Sequence, residues 1–214
     1  NIRVLGMNSF ETDCVRAFRS PNFWIGFLLE CLILCKAGPD SDLFPISVPL
    51  VVSLPYSTAW IADMESGYLK EYIPRCGKKA YIFGKIAACA LSGGTLLAAA
   101  GWIYGKMLKD KAEILDIGLL FSSGMLWALC AATLAAASKS RYVAYGGSFV
   151  LFYLLVIVKE RYFTELYCID PEEWILPKHT WVFDHGGILI LCGGLLIILA
   201  MIYYEILWRC IERV

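Results

Sequence analysis

Residues 117–137 carry no charged side chain, and neither do 142–158 or 186–204. A helix needs about 20 consecutive apolar residues to cross the hydrocarbon of a bilayer. Runs of that length exclude most soluble folds, because a soluble helix must keep one polar face for water. The rest of the chain agrees. Of its 214 residues 59% are hydrophobic and 18% charged, with mean hydropathy +0.63, too little charge for the surface of a soluble domain this large. The pattern predicts an all-α, polytopic membrane protein in a single transmembrane domain.

Six spans are expected, at about 22–36, 43–62, 81–106, 114–137, 142–158 and 186–206. The first is short and interrupted by Glu30. Six spans place both termini on one side. That side collects twelve bases, among them Arg16, Arg75, Lys78, Lys79 and Arg141, against seven on the other, where eleven acids lie, including Asp40, Asp42, Glu172 and Glu173. Lys and Arg in short loops favour the cytoplasmic side. Both termini are therefore expected in the cytoplasm, in a plasma-membrane protein. No cleavable signal peptide is visible in the sequence, where the first apolar run starts only near Phe23 after a charged amphipathic stretch. Asn1 rather than Met opens the sequence, which points to a few leading residues beyond it.

Residues 7–23, "MNSFETDCVRAFRSPNF", place Phe10, Cys14, Val15 and Phe18 at roughly helical spacing, with Glu11, Asp13, Arg16 and Arg19 between them. That suits a helix lying in the cytoplasmic interface, with Pro21 turning the chain into the membrane. On the opposite side, Lys159–His185 mixes charges with Tyr162, Tyr167, Trp174, Trp181 and Phe183. Short external helices at the headgroup level, split near Pro171 and Pro177, are expected there.

Enzymatic signatures are missing. "GWIYGKM" and "IFGKIA" lack the four-residue gap and the Ser or Thr after Lys that a phosphate loop requires. His179 and His185 stand six apart with no HExxH, so no zinc site is read. No GxSxG or SxxK surrounds a serine. The nine cysteines form no CxxC and fall mostly in apolar runs, where Cys acts as a small hydrophobe. A net charge of zero predicts no nucleic-acid partner. "LSGG" at Leu91–Gly94, "GWIYG" at Gly101–Gly105, and the pairs Gly146–Gly147 and Gly193–Gly194 read as small-residue helix packing. Among carboxylates, Asp116 and Glu205 fall near span ends, where water reaches them. Glu30 falls mid-span, where an acid either lines a polar pathway or pairs with a base on another helix.

The densest mixed-charge stretch, Ile61 to Lys85, joins two spans. Asp63 and Glu65 come first, then Gly67. Tyr68, Leu69, Tyr72 and Ile73 line one face of a short helix that Pro74 ends. Arg75 and the following bases turn the chain back, and Tyr81 and Lys85 are read as headgroup anchors of the next span. A compact cytoplasmic element fused to two spans is a shape suited to receiving a push from a soluble partner. A plain positive-inside anchor is the alternative.

Across nearly its whole length the chain resembles small permease subunits of the type-2 ABC exporter class, as found in Gram-positive bacteria. The resemblance rests on Pro55–Tyr56, Asp63, Gly67, Arg75, Tyr81 and Lys85. Asp63 departs from it, since Glu is commoner there, and Glu65 could share the role. The resemblance implies an interfacial N-terminal helix, six spans, a coupling helix between spans 2 and 3, and external helices before span 6. It also implies two permease subunits, identical or homologous, each docked on an ABC ATPase that holds ATP and magnesium, with no cofactor or metal in this chain. The coupling residues would be Asp63, Glu65, Gly67, Tyr68, Leu69, Tyr72, Ile73 and Arg75. The exported substrate would be a peptide, a lipid or a drug-like molecule. A stand-alone immunity or sensor protein that binds a peptide without transport is the rival reading, and an integral-membrane enzyme is a third.

Overall fold

The computed structural model describes residues 9–107, 115–163, 165–181, 183 and 185–212. Regular structure among these residues is helical. In chain order the helices are α1 (Ser9–Arg19), α2 (Pro21–Ala37), α3 (Leu43–Val51), α4 (Ala59–Glu65), α5 (Tyr68–Cys76), α6 (Lys78–Met107), α7 (Ile117–Ser138), α8 (Arg141–Tyr162) and α9 (His185–Glu212). The expected helix start at Met7 and the expected span start at Ile114 lie outside the described residues.

Four helices, α6 to α9, are long and apolar enough to cross a membrane. A fifth span arises if α1 and α2, bent by 53° at their junction, count as one. The bend follows from local chemistry. Ser20 caps α2, its Oγ accepting from the Asn22 amide at 3.2 Å, and Pro21 occupies the first turn, where its missing N–H costs nothing.

The expected span at 43–62 is not a continuous helix. α3 ends at Val51, turns occupy 52–58, and α4 resumes at Ala59. Proline explains the break: Pro49 lies inside α3 and Pro55 in the turns. A proline removes one helical donor and pushes the preceding turn open. The freed carbonyls are met by hydroxyls. Ser53 Oγ donates to the Leu50 carbonyl at 2.6 Å, Ser57 to that of Ser53, and Ser148 of α8 to that of Pro49 at 3.1 Å. The break is largely buried in protein, the condition under which irregular backbone survives at membrane depth.

α6 and α7 form the centre. Their crossing depends on glycines: a Cβ on Gly93 would collide with Ala128 and lie 2.8 Å from the Gly124 carbonyl oxygen. This bears out the packing reading of "LSGG". Gly146, Gly193 and Gly194 do not behave alike, since an added Cβ there meets nothing within 4 Å. α9 packs against α7 and α6, and α8 against α7 and α3. Both present long apolar outer faces, with Val150, Ile190, Ile197 and Met201 all exposed.

The segment between α8 and α9 corrects another expectation. Instead of short α-helices, its described residues hold a three-residue 3-10 helix, Tyr167–Ile169, followed by hydrogen-bonded turns over 171–175. Pro171 and Pro177 stand too close for a helix to propagate between them. Trp174 and Ile175 are buried rather than held at a headgroup surface; the Trp174 ring stacks on Trp127 of α7 at 6.2 Å.

Candidate functional site

Where α1, the α3–α4 passage and the start of α6 meet, a charged cluster is closed off from solvent. Lys85 is 1% exposed, Asp63 1% and Asp13 3%. Lys85 Nζ lies 2.7 Å from Asp63 Oδ2 and 3.1 Å from Asp13 Oδ1, and donates to Tyr56 Oη at 2.8 Å. Tyr56 Oη donates to Asp13 Oδ1 at 2.5 Å, and Tyr81 Oη to Asp63 Oδ2 at 2.8 Å. Arg16 closes the outer side, its Nη2 donating to Asp63 Oδ1 at 2.7 Å. Two carboxylates thus face two cations, and the cluster is neutral as a unit. Neutrality and these bonds are what let Lys85, Asp63 and Asp13 leave water together, with Arg16 at the rim, although Asp13 Oδ2 is buried without a partner.

Each member is placed by its element. Asp63 stands on the last turn of α4, Tyr81 and Lys85 one turn apart on α6, and Tyr56 in the turns after α3. Asp13 and Arg16 lie a turn apart on α1, which rests on α6 at Gly84. A Cβ at Gly84 would fall 2.9 Å from Asp13 Oδ2 and 3.0 Å from Ser9 Oγ. α1 therefore turns Ser9, Asp13 and Ala17 toward the protein and leaves Phe10 and Val15 exposed. Two polar side chains, Ser9 and Asp13, thus face the protein, while Glu11, Arg16 and Arg19 are exposed beside Phe10 and Val15.

Lys85 is thus no headgroup anchor: its ammonium is inside the protein, over the rings of Tyr56 at 4.8 Å and Tyr81 at 5.3 Å. Asp13 and Arg16 were missed because an amphipathic N-terminal segment reads equally well with its charges in water.

The expected coupling residues divide. Asp63 is central to the cluster. Gly67 joins α4 to α5 in the left-handed region, at φ 71°, with open space where a Cβ would stand. Glu65 is exposed and pairs with Arg141 at the start of α8. On α5, Leu69 is 2% exposed, and Tyr72 and Ile73 pack against the chain's own core. Tyr68 is half-buried, stacked on Tyr72 with ring centres 4.7 Å apart. The outward face of α5 carries Lys70, Glu71, Pro74 and Arg75. The apolar face of this helix thus serves the nearest apolar surface, which is its own bundle.

Glu30 stands apart. It is fully buried on α2, and both carboxylate oxygens lie 3.3 Å from Ser47 Oγ of α3. Ser47 also donates to the Phe44 carbonyl at 2.7 Å.

Two further carboxylates organise the opposite end. Asp116 caps α7, accepting from the Gly118 amide at 2.7 Å, and meets His185 of α9 at 2.6 Å. Burial raises its carboxyl, but His185 and the capping amides outweigh that and hold it below the usual carboxylate range. Glu173 is buried in the α8–α9 segment and accepts from the amides of Lys178 at 3.0 Å and His179 at 3.2 Å, with the His179 ring at 2.8 Å. Burial again pushes upward, and these bonds together with the Trp181 indole hold it low. Beside Asp116 lies a cleft of about 470 Å³ lined by Asp40, Asp42, Asp116, Glu172, Lys178 and His185, among others.

No group of three or more His, Cys, Asp or Glu side chains among the described residues is arranged to hold a metal ion. No family model, no curated protein and no solved structure matches the chain.

Proposed function

We propose that the chain is the membrane-spanning permease subunit of an ATP-driven exporter of the type-2 ABC class. The observation that carries this reading is the buried cluster. Tyr56, Asp63, Tyr81 and Lys85, four of the residues on which the resemblance rests, meet within hydrogen-bonding distance, at the root of a short helix whose outer face is charged and free. A rigid charged joint beneath a projecting element suits the transfer of a push into α4 and α6. In this reading α3 and α4 form a broken second span, giving six spans with both termini cytoplasmic in the plasma membrane. Asp63, Glu65, Gly67, Tyr68, Leu69, Tyr72, Ile73 and Arg75 form the coupling element. Asp63, Leu69 and the tyrosines set its stiffness, Gly67 is its joint, and Glu65 and Arg75 reach the partner. Two ATPase subunits hold ATP and magnesium, and a second permease, identical or homologous, completes the path. Glu30 is the acid assigned to a polar pathway, and the cargo is a peptide, a lipid or a drug-like amphiphile.

The test is capture. The chain, purified from its native host, is expected to bring down an ABC ATPase, and Arg75→Glu on the outer face of α5 is expected to weaken that capture about tenfold, the loss of a few exposed charged contacts at an interface. Capture unaffected by Arg75→Glu and by Lys70→Glu together would take α5 out of the interface. The external cleft favours a second reading, a receptor for a basic peptide without transport; binding of such a peptide with no ATPase captured would support that reading instead.

A further inference from the structure

Tyr68 and Tyr72 are not free anchors awaiting a partner; they belong to a closed circuit. Arg16 donates to Asp63 through Nη2 at 2.7 Å and Nη1 at 3.4 Å, and its guanidinium carbon lies 5.4 Å from the centre of the Tyr68 ring. Tyr68 stacks on Tyr72 at 4.7 Å with planes 22° apart, Tyr72 meets Tyr81 edge-on at 6.1 Å, and Tyr81 returns to Asp63 at 2.8 Å. The circuit passes through α1, α5, α6 and α4. Gly67, the joint between α4 and α5, has no side chain and open space about it, so the backbone there resists rotation little. α5 is fixed by Leu69, which is buried, and by the tyrosine stack that Arg16 covers.

We infer that Arg16 is a positioning residue that latches the α4–α5 element to α1, by holding Asp63 and the face of Tyr68 at the same time. A guanidinium suits this double duty. Its planar fork pairs with a carboxylate in two places while its face lies on an aromatic ring, and an ammonium can do only the first well. The side chain is 41% exposed, so it sits at the rim of the cluster. Losing it leaves Asp63 still held by Lys85 and Tyr81 and frees mainly α5. The interfacial helix then controls the angle at which α5 meets the cytoplasm. The role assigned to α5 in coupling rests on the permease reading; the latch itself does not.

The experiment is hydrogen–deuterium exchange of the purified chain in lipid nanodiscs. Wild type is compared with Arg16→Gln, Arg16→Lys, Tyr68→Leu and the double variant Arg16→Gln/Tyr68→Leu. Arg16→Gln is expected to speed exchange across 68–76 about fivefold or more, the order expected for losing a cation–π contact and a charged hydrogen bond, while 88–104 of α6 stays protected. Arg16→Lys should fall between wild type and Gln. The double variant should exchange no faster than the faster single variant, because both singles open the same contact. Unchanged exchange over 68–76 in Arg16→Gln, or fully additive effects in the double variant, would overturn the latch. If Arg16→Gln loses protection everywhere, the Lys and Leu variants decide: additivity between these two, tested in their own double variant, overturns it and non-additivity supports it. ATPase capture is run on the same proteins. Failure of the wild type to capture an ATPase would count against the permease reading and leave the exchange result to decide the latch.

Discussion

At the scale of the residue, Lys85 has the most at stake. Its ammonium is buried between two carboxylates and over two tyrosine rings. Such a group stabilises only as part of a neutral set, and removing one member leaves an uncompensated charge inside. Lys85→Met is therefore expected to cost about 3–5 kcal/mol, leaving Asp13 and Asp63 to share Arg16. Adding Asp63→Asn restores neutrality, since Asp13 then faces Arg16 alone. The double variant should recover part of the loss, measured as melting temperature in detergent. A double variant less stable than Lys85→Met would show that the cluster does not act as one electrostatic unit. Lys85 also marks a limit of reading from sequence. A lysine six residues after a run of bases looks like an interfacial anchor, and only the arrival of α1 and α4 on the same face of α6 gives it two acids.

The elements show where pattern is informative. The expected spans at 81–106, 142–158 and 186–206 lie within α6, α8 and α9, because a predominantly apolar run of that length has one good solution in a membrane. The passage from 43 to 65 was legible only as apolar; its break depends on Pro49 and Pro55 being answered by Ser53, Ser57 and Ser148, the last on a helix nearly a hundred residues away. α5 was legible as an amphipathic helix, but periodicity does not say whether its apolar face meets a partner or its own bundle, and Leu69 meets its own bundle. α1 offers the sharpest test at this scale. It sits close on α6 at Gly84, where an added Cβ would lie 2.9 Å from Asp13 Oδ2, 3.0 Å from Ser9 Oγ and 3.3 Å from the Phe10 amide nitrogen. Gly84→Ala is expected to lift α1 and cost about 1–3 kcal/mol, the usual penalty for overpacking a close contact. The same substitution at Gly193, where an added Cβ meets nothing within 4 Å, should cost nothing measurable or slightly stabilise α9. Equal effects at the two sites would argue against the close seat of α1.

On the scale of the whole molecule, charge is distributed by role. The outer faces of α8 and α9 are apolar, one end is tied by the Asp13, Arg16, Asp63 and Lys85 cluster, and the other is organised around Asp116 and Glu173. The coupling claim concerns the first end alone. ATP hydrolysis measured in proteoliposomes tests it most directly, with the captured ATPase alone, this chain alone, and the two together. The account predicts no hydrolysis by this chain, faster hydrolysis by the assembled pair than by the ATPase, and loss of that acceleration in Asp63→Asn although the complex still forms. Hydrolysis by the chain alone, or an Asp63→Asn complex that accelerates as fully as wild type, would contradict it.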